Sequence, residues 1–419
     1  MFLNKLKLFK GYQILGSLNR YASTQVPTMH EVRSKLMDLI GYDRTWGDKV
    51  IDKTLLVQHV KRDQSLLKRH RMNESFAEAI IPLGDQAELR NRYGNFQQTV
   101  RFGRLLEDLD TMAVHIAYLH NKSQNILIDN RELSPVVIVT ALVDRIEIKD
   151  QPIAIDKNIK LSGFTSWVGK SSCEVTMKLE QELAANVWSN VLEAKFLVCA
   201  RDTNNIAPAV MNPLEIVTPE EKAIYELGEK SKIIRQNEMH SSLFNMPPNN
   251  VESVLIHEMF KKTIDMNSGS FKIRVKPENT VWMEDTLLKN VIICFPEQRN
   301  LYNKIFGGFL MRQAYELAWT NACLFSKTTP RCSVVDDISF KRPVLIGSLL
   351  FLTSEVVYTE GQQIQVKVHA QTVDPKTSHK ETSNDFYFKF KIPSTNPIAQ
   401  VMPKTYAESM MYIDGKRHW

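Results

Sequence analysis

Ile305-Phe-Gly-Gly-Phe-Leu-Met-Arg-Gln-Ala-Tyr315-Glu-Leu-Ala-Trp319 sets a glycine pair ahead of a helical pattern. Leu310, Ala314, Leu317, Ala318 and Asn321 fall on one face of that helix. An earlier stretch, Val100-Arg-Phe-Gly-Arg-Leu-Leu-Glu-Asp-Leu-Asp110-Thr-Met-Ala-Val114, reads the same way. Here the stripe is Leu105, Leu106, Leu109, Met112, Ala113 and Ile116. Gly103 and Gly308 lie 205 residues apart. Each helix is followed by a matching strand signal, Val143-Asp144-Arg-Ile-Glu-Ile-Lys149 and Val335-Asp336-Asp-Ile-Ser-Phe-Lys341. Asp144 and Asp336 lie 192 residues apart, as do Gly169 and Gly361 in turns further on. The first copy therefore carries 13 extra residues between helix and strand, and the polar stretch Asn121–Ser134 is where they fit. Shared order and shared spacing point to an internal duplication.

Alternating strands complete each copy. Cys173, Val175, Met177 and Leu179 share one face, and so do Ile364, Val366, Val368 and Ala370. Lys289–Phe295 reads as a strand ahead of the second helix. The repeating unit is a strand, a buried helix, then three or four antiparallel strands with no helices between them. That is α+β, not a doubly wound sheet. Between the copies, Thr218-Pro-Glu-Glu221 is a capping box with proline at the first helical position, opening a helix to about Arg235. Met246–Asn250 reads as a loop, Val251–Ile264 as a second helix, and residues 30–72 as helical and strongly charged.

Composition narrows the function. The 419 residues are 43% apolar and 24% charged, which excludes wholesale disorder. The longest apolar stretches, such as Pro135–Val143, are too short for a membrane span. Net charge is +6, and part of it comes from Lys5, Lys7, Lys10 and Arg20, which precede the first acid, Glu31. The remainder is only mildly basic, so no nucleic-acid partner is expected. The five cysteines (Cys173, Cys199, Cys294, Cys323 and Cys332) show no C-x-x-C spacing, which argues against zinc and fits a reducing compartment. Residues 1–24 mix Phe2, Leu3, Leu6, Leu8 and Phe9 with lysines and contain no acid. They read as a mitochondrial presequence addressing the matrix rather than as a secretory signal.

Asn303-Lys-Ile-Phe-Gly-Gly-Phe-Leu-Met resembles the Asn-x-x-(His/Phe)-Gly-Gly signature of acyl-coenzyme A thioesterases. Arg299–Trp319, Ser333–Pro343 and Pro403-Lys-Thr-Tyr-Ala-Glu-Ser-Met410 extend the resemblance over most of the chain beyond the leader. It implies two tandem hotdog domains, each a long helix wrapped by an antiparallel sheet. The expected layout is a presequence (1–24), a helical N-terminal extension (25–82), a first hotdog (83–204), a helical linker (205–284), a second hotdog (285–398) and a tail (399–419). The implied activity is hydrolysis of acyl-CoA to a free acid and CoA, with no cofactor and no metal.

In this family the site forms where two hotdog units meet. One unit supplies an asparagine ahead of its helix, and the other a carboxylate about two turns inside its own. Asn303 matches the asparagine. The family's aspartate lies seven residues after the second glycine. Counted from Gly103 this position is Asp110, and from Gly308 it is Tyr315. The counterpart of Asn303 in the first copy is Gln98. Asp110 with Asn303 thus makes one complete site, whereas Gln98 with Tyr315 lacks the acid. A small helix shift would present the neighbouring Glu316 in its place.

The residue types suit the chemistry. A carboxylate at the edge of an apolar face gains a raised pKa from burial and can take a proton from water. It could equally attack the thioester directly and form an anhydride. The plain structural alternative is a solvated acid paired with Arg104 or Arg101. Asn303 offers a donor and an acceptor, or a helix N-cap. Gly307, Gly308 and Gly103 permit close approach of substrate to backbone, with amides facing incoming negative charge, or serve only tight packing. Lys170, Lys341 and Arg342 are candidates for the CoA phosphates, while Asp144 and Asp336 read as structural. A hydratase would need a histidine near the helix start, where Phe306 and Arg101 stand. The rival from another class is a non-catalytic acyl-CoA-binding or regulatory hotdog protein. Open sheet edges favour a homo-oligomer, a dimer or trimer of such chains.

Overall fold

The computed structural model describes residues 26–41, 56–128, 130–203, 207–299, 304–394 and 397–419. The expected leader, residues 1–24, lies outside the described residues, and so does Asn303.

Helix α1 (Met29–Leu39) comes first. The front half then holds β1 (Ala77–Ile81), α2 (Phe102–His120), β2 (Ile126–Ile128), β3 (Arg131–Leu133), β4 (Val136–Val143), β5 (Ile146–Ile148), β6 (Ile159–Val168), β7 (Ser172–Ala184) and β8 (Val187–Asp202). A connector carries α3 (Pro219–His240), α4 (Asn250–Lys262) and β9 (Thr280–Trp282). The rear half holds β10 (Leu288–Ile293), α5 (Gly307–Ser326), β11 (Arg331–Phe340), β12 (Leu349–Glu360), β13 (Gln363–Val373) and β14 (Lys380–Lys391). β15 (Gln400–Met402) and α6 (Tyr406–Arg417) follow.

One eleven-stranded antiparallel sheet joins the halves, in the order β1-β6-β7-β8-β4-β11-β14-β13-β12-β10, with β5 paired to both β8 and β11. The second five strands repeat the first five in mirror order. At the seam, Val143 pairs with Ile338 and Leu142 with Ser339, while Ile146 pairs with Val335 and Glu147 with Val334. Under the 192-residue offset these two sets of pairs exchange, so a pseudo-two-fold axis passes between β4 and β11. The polar stretch after α2 holds the small separate hairpin of β2 and β3.

α2 and α5 pack on each other and against the sheet. Their apolar stripes are buried, with Leu105, Leu106, Leu109, Met112, Ala113 and Ile116 facing one half-sheet and Leu310, Ala314, Leu317, Ala318 and Asn321 the other. The other sheet face is covered by helices that open with capping boxes, Thr218 with Glu221 on α3 and Thr405 with Glu408 on α6. The equivalent carboxylates Asp144 and Asp336 dock this outer layer. Arg235 of α3 reaches Asp144 at 3.1 Å, and His418, just past α6, reaches Asp336 at 2.6 Å.

The N-terminal extension differs from the helical expectation. Among its described residues, α-helix is confined to α1 and a short segment near Leu56, with 3-10 turns at Gln64–Leu66 and Met72–Ser75. Ala77–Ile81 is a strand that pairs with β6 and belongs to the front sheet, although Ala-Glu-Ala suits a helix. Sheet pairing overrides so short a local preference.

Candidate active site

Burying charge demands a partner. One turn of α2 buries three acids, Glu107, Asp108 and Asp110. Glu107 accepts from Arg104 Nη1 at 2.7 Å and from Arg312 Nε at 2.8 Å. Asp108 accepts from Arg33 Nη2 at 3.0 Å and from the Tyr93 hydroxyl at 2.7 Å. Asp110 has no cation against it among the described residues. Its Oδ1 accepts from the Thr140 hydroxyl at 2.6 Å and its Oδ2 from the backbone N–H of Gly308 at 2.6 Å. Burial is the main cause that pushes this carboxyl up to about 6, and Glu107 adds to it, while the two hydrogen bonds pull it down.

The structure brings the front acid to the start of the rear helix. A Cβ on Gly307 would lie 3.1 Å from Asp110 Oδ2 and 3.3 Å from the Phe340 ring, and one on Gly308 only 2.8 Å from Glu107 Cα. Glycine at both positions is what lets the α5 N-terminus reach the carboxylate. The sheet splits beside this contact. β4 pairs with β11 only at Val143 and Leu142, and from Thr140 toward Val136 it pairs with β8 alone. Thr140 on β4 and Phe340 at the end of β11, followed by Lys341, flank the opening.

Two expectations change. The anion at the Gly308 amide is Asp110 itself, so this N–H does not stand open for an oxyanion. Nor do Arg104 and Arg101 pair with Asp110, because Arg104 holds Glu107 and Arg101 holds Glu316 at 2.6 Å. Glu316 is thereby engaged away from the place of Tyr315.

The mirror position is built differently. Tyr315 packs edge-on against Phe102 at 5.4 Å and Phe388 at 5.7 Å, and lies near Phe390 at 6.1 Å. A Cβ on Gly103 would meet Arg312 Cγ at 3.0 Å and the Tyr315 ring at 3.3 Å. Gln98 sits exposed in a left-handed turn with φ 59°. The candidate CoA cations are scattered. Lys170 is exposed on the β6–β7 turn, Lys341 pairs with Asp385 at 2.9 Å, and Arg342 pairs with Glu381.

Sequence reasoning missed Thr140. Its signal was a lone hydroxyl in the apolar run Val136–Val143. Thr140→Val removes a donor to a buried carboxylate, a loss of roughly 1.5–3 kcal/mol to the charged form. The acid limb of any activity that needs ionised Asp110 is expected to rise by about 1–2 pH units, read from a pH–rate profile.

A comparison with protein-family models finds no match. Acyl-coenzyme A thioesterase 9, mitochondrial, from Homo sapiens is 45% identical over 394 residues, covering 93% of this chain and 88% of its own. The Mus musculus protein of the same name is 41% identical over 420 residues, covering 100% and 94%. Among solved structures, an acyl-ACP thioesterase from Bacteroides thetaiotaomicron superposes with TM-score 0.44 at 10% identity, over 76% of this chain and 98% of its own. Near-full-length identity at this level settles the family, and the chain belongs to the acyl-coenzyme A thioesterases.

Proposed function

We propose that the chain hydrolyses acyl-CoA at the seam between two tandem hotdog units, with Asp110 as the base. The observation that carries this is a buried carboxylate held by one hydroxyl and one helix-end amide, with no countercharge among the described residues, beside a split in the sheet. Its two neutral contacts fix its orientation and leave it basic. A water molecule attacks the thioester carbonyl carbon, and Asp110 takes its proton. The carbon–sulfur bond then breaks, and the CoA sulfur receives the proton as it leaves. The oxyanion needs donors other than the Gly308 amide, and Asn303 with the Gly307 amide is the set we assign. CoA phosphates reach Lys341 and Arg342 at the mouth of the seam by displacing their surface ion pairs, which are worth little.

The chain is an acyl-CoA thioester hydrolase of the mitochondrion, like its named relatives. Val291 and Ile293 on the outer strand β10 are exposed, which supports assembly with further copies of the chain.

The test is release of free thiol from acyl-CoA by the purified protein across pH. Asp110 must be ionised to act, so kcat/KM is expected to rise with pH through about 6. Binding of acyl-CoA without thiol release at any pH would make the chain a binder instead. We further propose a single working site per chain, because the mirror position is packed with aromatic rings. Tyr315→Phe keeps that packing and is expected to leave turnover within about 2-fold of wild type. A loss of roughly 10² in the same thiol assay would show that the mirror position works.

A further inference from the structure

Glu107 and Arg312 lie 205 residues apart, the same separation as Gly103 and Gly308, so they occupy equivalent positions in the two copies. They also touch each other, at 2.8 Å. A residue that meets its own equivalent lies on the pseudo-two-fold axis. Identical residues there would set like charge against like charge at close range. Glutamate in one copy and arginine in the other convert that repulsion into an ion pair available only between unlike halves. Little water reaches it, since Glu107 is 7% exposed. The guanidinium of Arg312 also lies 5.3 Å from the Phe309 ring centroid, which steadies it from its own helix.

The pair stands one turn from Asp110 on the same helix face. Glu107 Cα is also the atom that a Cβ on Gly308 would strike. The ion pair, the Gly308 backbone and the Asp110 carboxylate therefore form one contiguous contact between α2 and α5.

We infer that the Glu107–Arg312 pair tunes Asp110 through charge: seated in the same α2–α5 contact, Glu107 opposes ionisation of that carboxylate to the extent that Arg312 leaves it uncompensated. The inference rests on the proposed role of Asp110. Facing that carboxylate are the Thr140 hydroxyl from β4, the Gly308 amide from α5 and the Glu107 carboxylate from its own helix. Arg104 and Arg312 both point at Glu107, so the charge Asp110 feels from this cluster depends on how far those two cations compensate it.

The two members of the pair should therefore act in opposite directions. Glu107→Gln removes a neighbouring negative charge while nearly keeping shape, and Arg312→Gln leaves that charge less compensated. The acid limb of kcat/KM for thiol release is expected to move down in Glu107→Gln and up in Arg312→Gln, each by roughly half a pH unit or more. KM for acyl-CoA should stay within about 2-fold in both. A purely structural pair would lower kcat in both variants and leave the limb in place. Limbs that stay put, or move in the same direction, overturn the inference. If Glu107→Gln fails to fold, the direction in Arg312→Gln decides alone. Asp110→Asn serves as the reference: if it retains full turnover, the role of Asp110 itself has failed, and that outcome is distinct from a fixed limb.

Discussion

Asp110→Asn is expected to cut thiol release by about 10²–10⁴-fold and, at neutral pH, to make the protein more stable. The first effect follows because an amide cannot accept the proton of the attacking water. The second follows from burial. Asp110 titrates at about 6 in the folded chain against an ordinary 3.8, so the folded state favours the protonated form. Its contribution to stability is fully present below about 4, falls as pH rises through 6, and is absent at 7 and above. The gap corresponds to roughly 3 kcal/mol of strain held at neutral pH. Asparagine relieves it without breaking the local contacts. Its oxygen can still accept from the Gly308 N–H, and its amide can donate to the Thr140 hydroxyl. Thermal melts at pH 4 and pH 8 read the sign, with the variant gaining over wild type only at the higher pH. A variant that is inactive and destabilised at pH 8 would mean that Asp110 is a structural acid.

Gly308→Ala carries the second largest effect. The added methyl would sit 2.8 Å from Glu107 Cα and 3.2 Å from Asp110 Cβ. Backbone cannot yield as a flexible side chain can, so α5 must move away from α2. Overpacking of this kind costs about 1–3 kcal/mol. The shift also carries the amide donor off Asp110, and a displacement of about 1 Å in a reacting assembly can cost about 10²-fold. The expected result is a roughly 10²-fold fall in kcat with KM little changed, together with a lower melting temperature. Gly103→Ala is the control at the mirror position. Its methyl would meet the Arg312 side chain at 3.0 Å and the Tyr315 ring at 3.3 Å, which can shift by a few tenths of an ångström. Turnover there should stay within a few-fold of wild type. Equal losses in both variants would tie the effect to helix packing alone.

Much of this arrangement is legible in the chain because it is written twice. The glycine-led helices and the Asp144 and Asp336 strands keep their spacing in both copies, so the repeat and the α+β class follow from periodicity. Asp110 was reachable through the family's seven-residue spacing. Its environment was not, since a lone aspartate in Leu109-Asp110-Thr111 looks the same whether an arginine or a helix end faces it. The partners that decide the matter, Thr140 and Gly308, come from 30 and 198 positions away. The Glu107–Arg312 contact spans 205 residues and is visible only when the two helices are crossed. The strand at Ala77–Ile81 was hidden for a related reason, because its pairing with β6 is non-local while its residues suit a helix.

The seam is tested most directly by a crystal structure of Asp110→Asn with an intact acyl-CoA bound. The thioester should sit in the split beside Thr140, with residue 110 and the α5 N-terminus within reach of one water from its carbonyl carbon. A thioester found instead beside Gly103 and Tyr315, or anywhere away from the β4–β11 junction, would contradict the assignment.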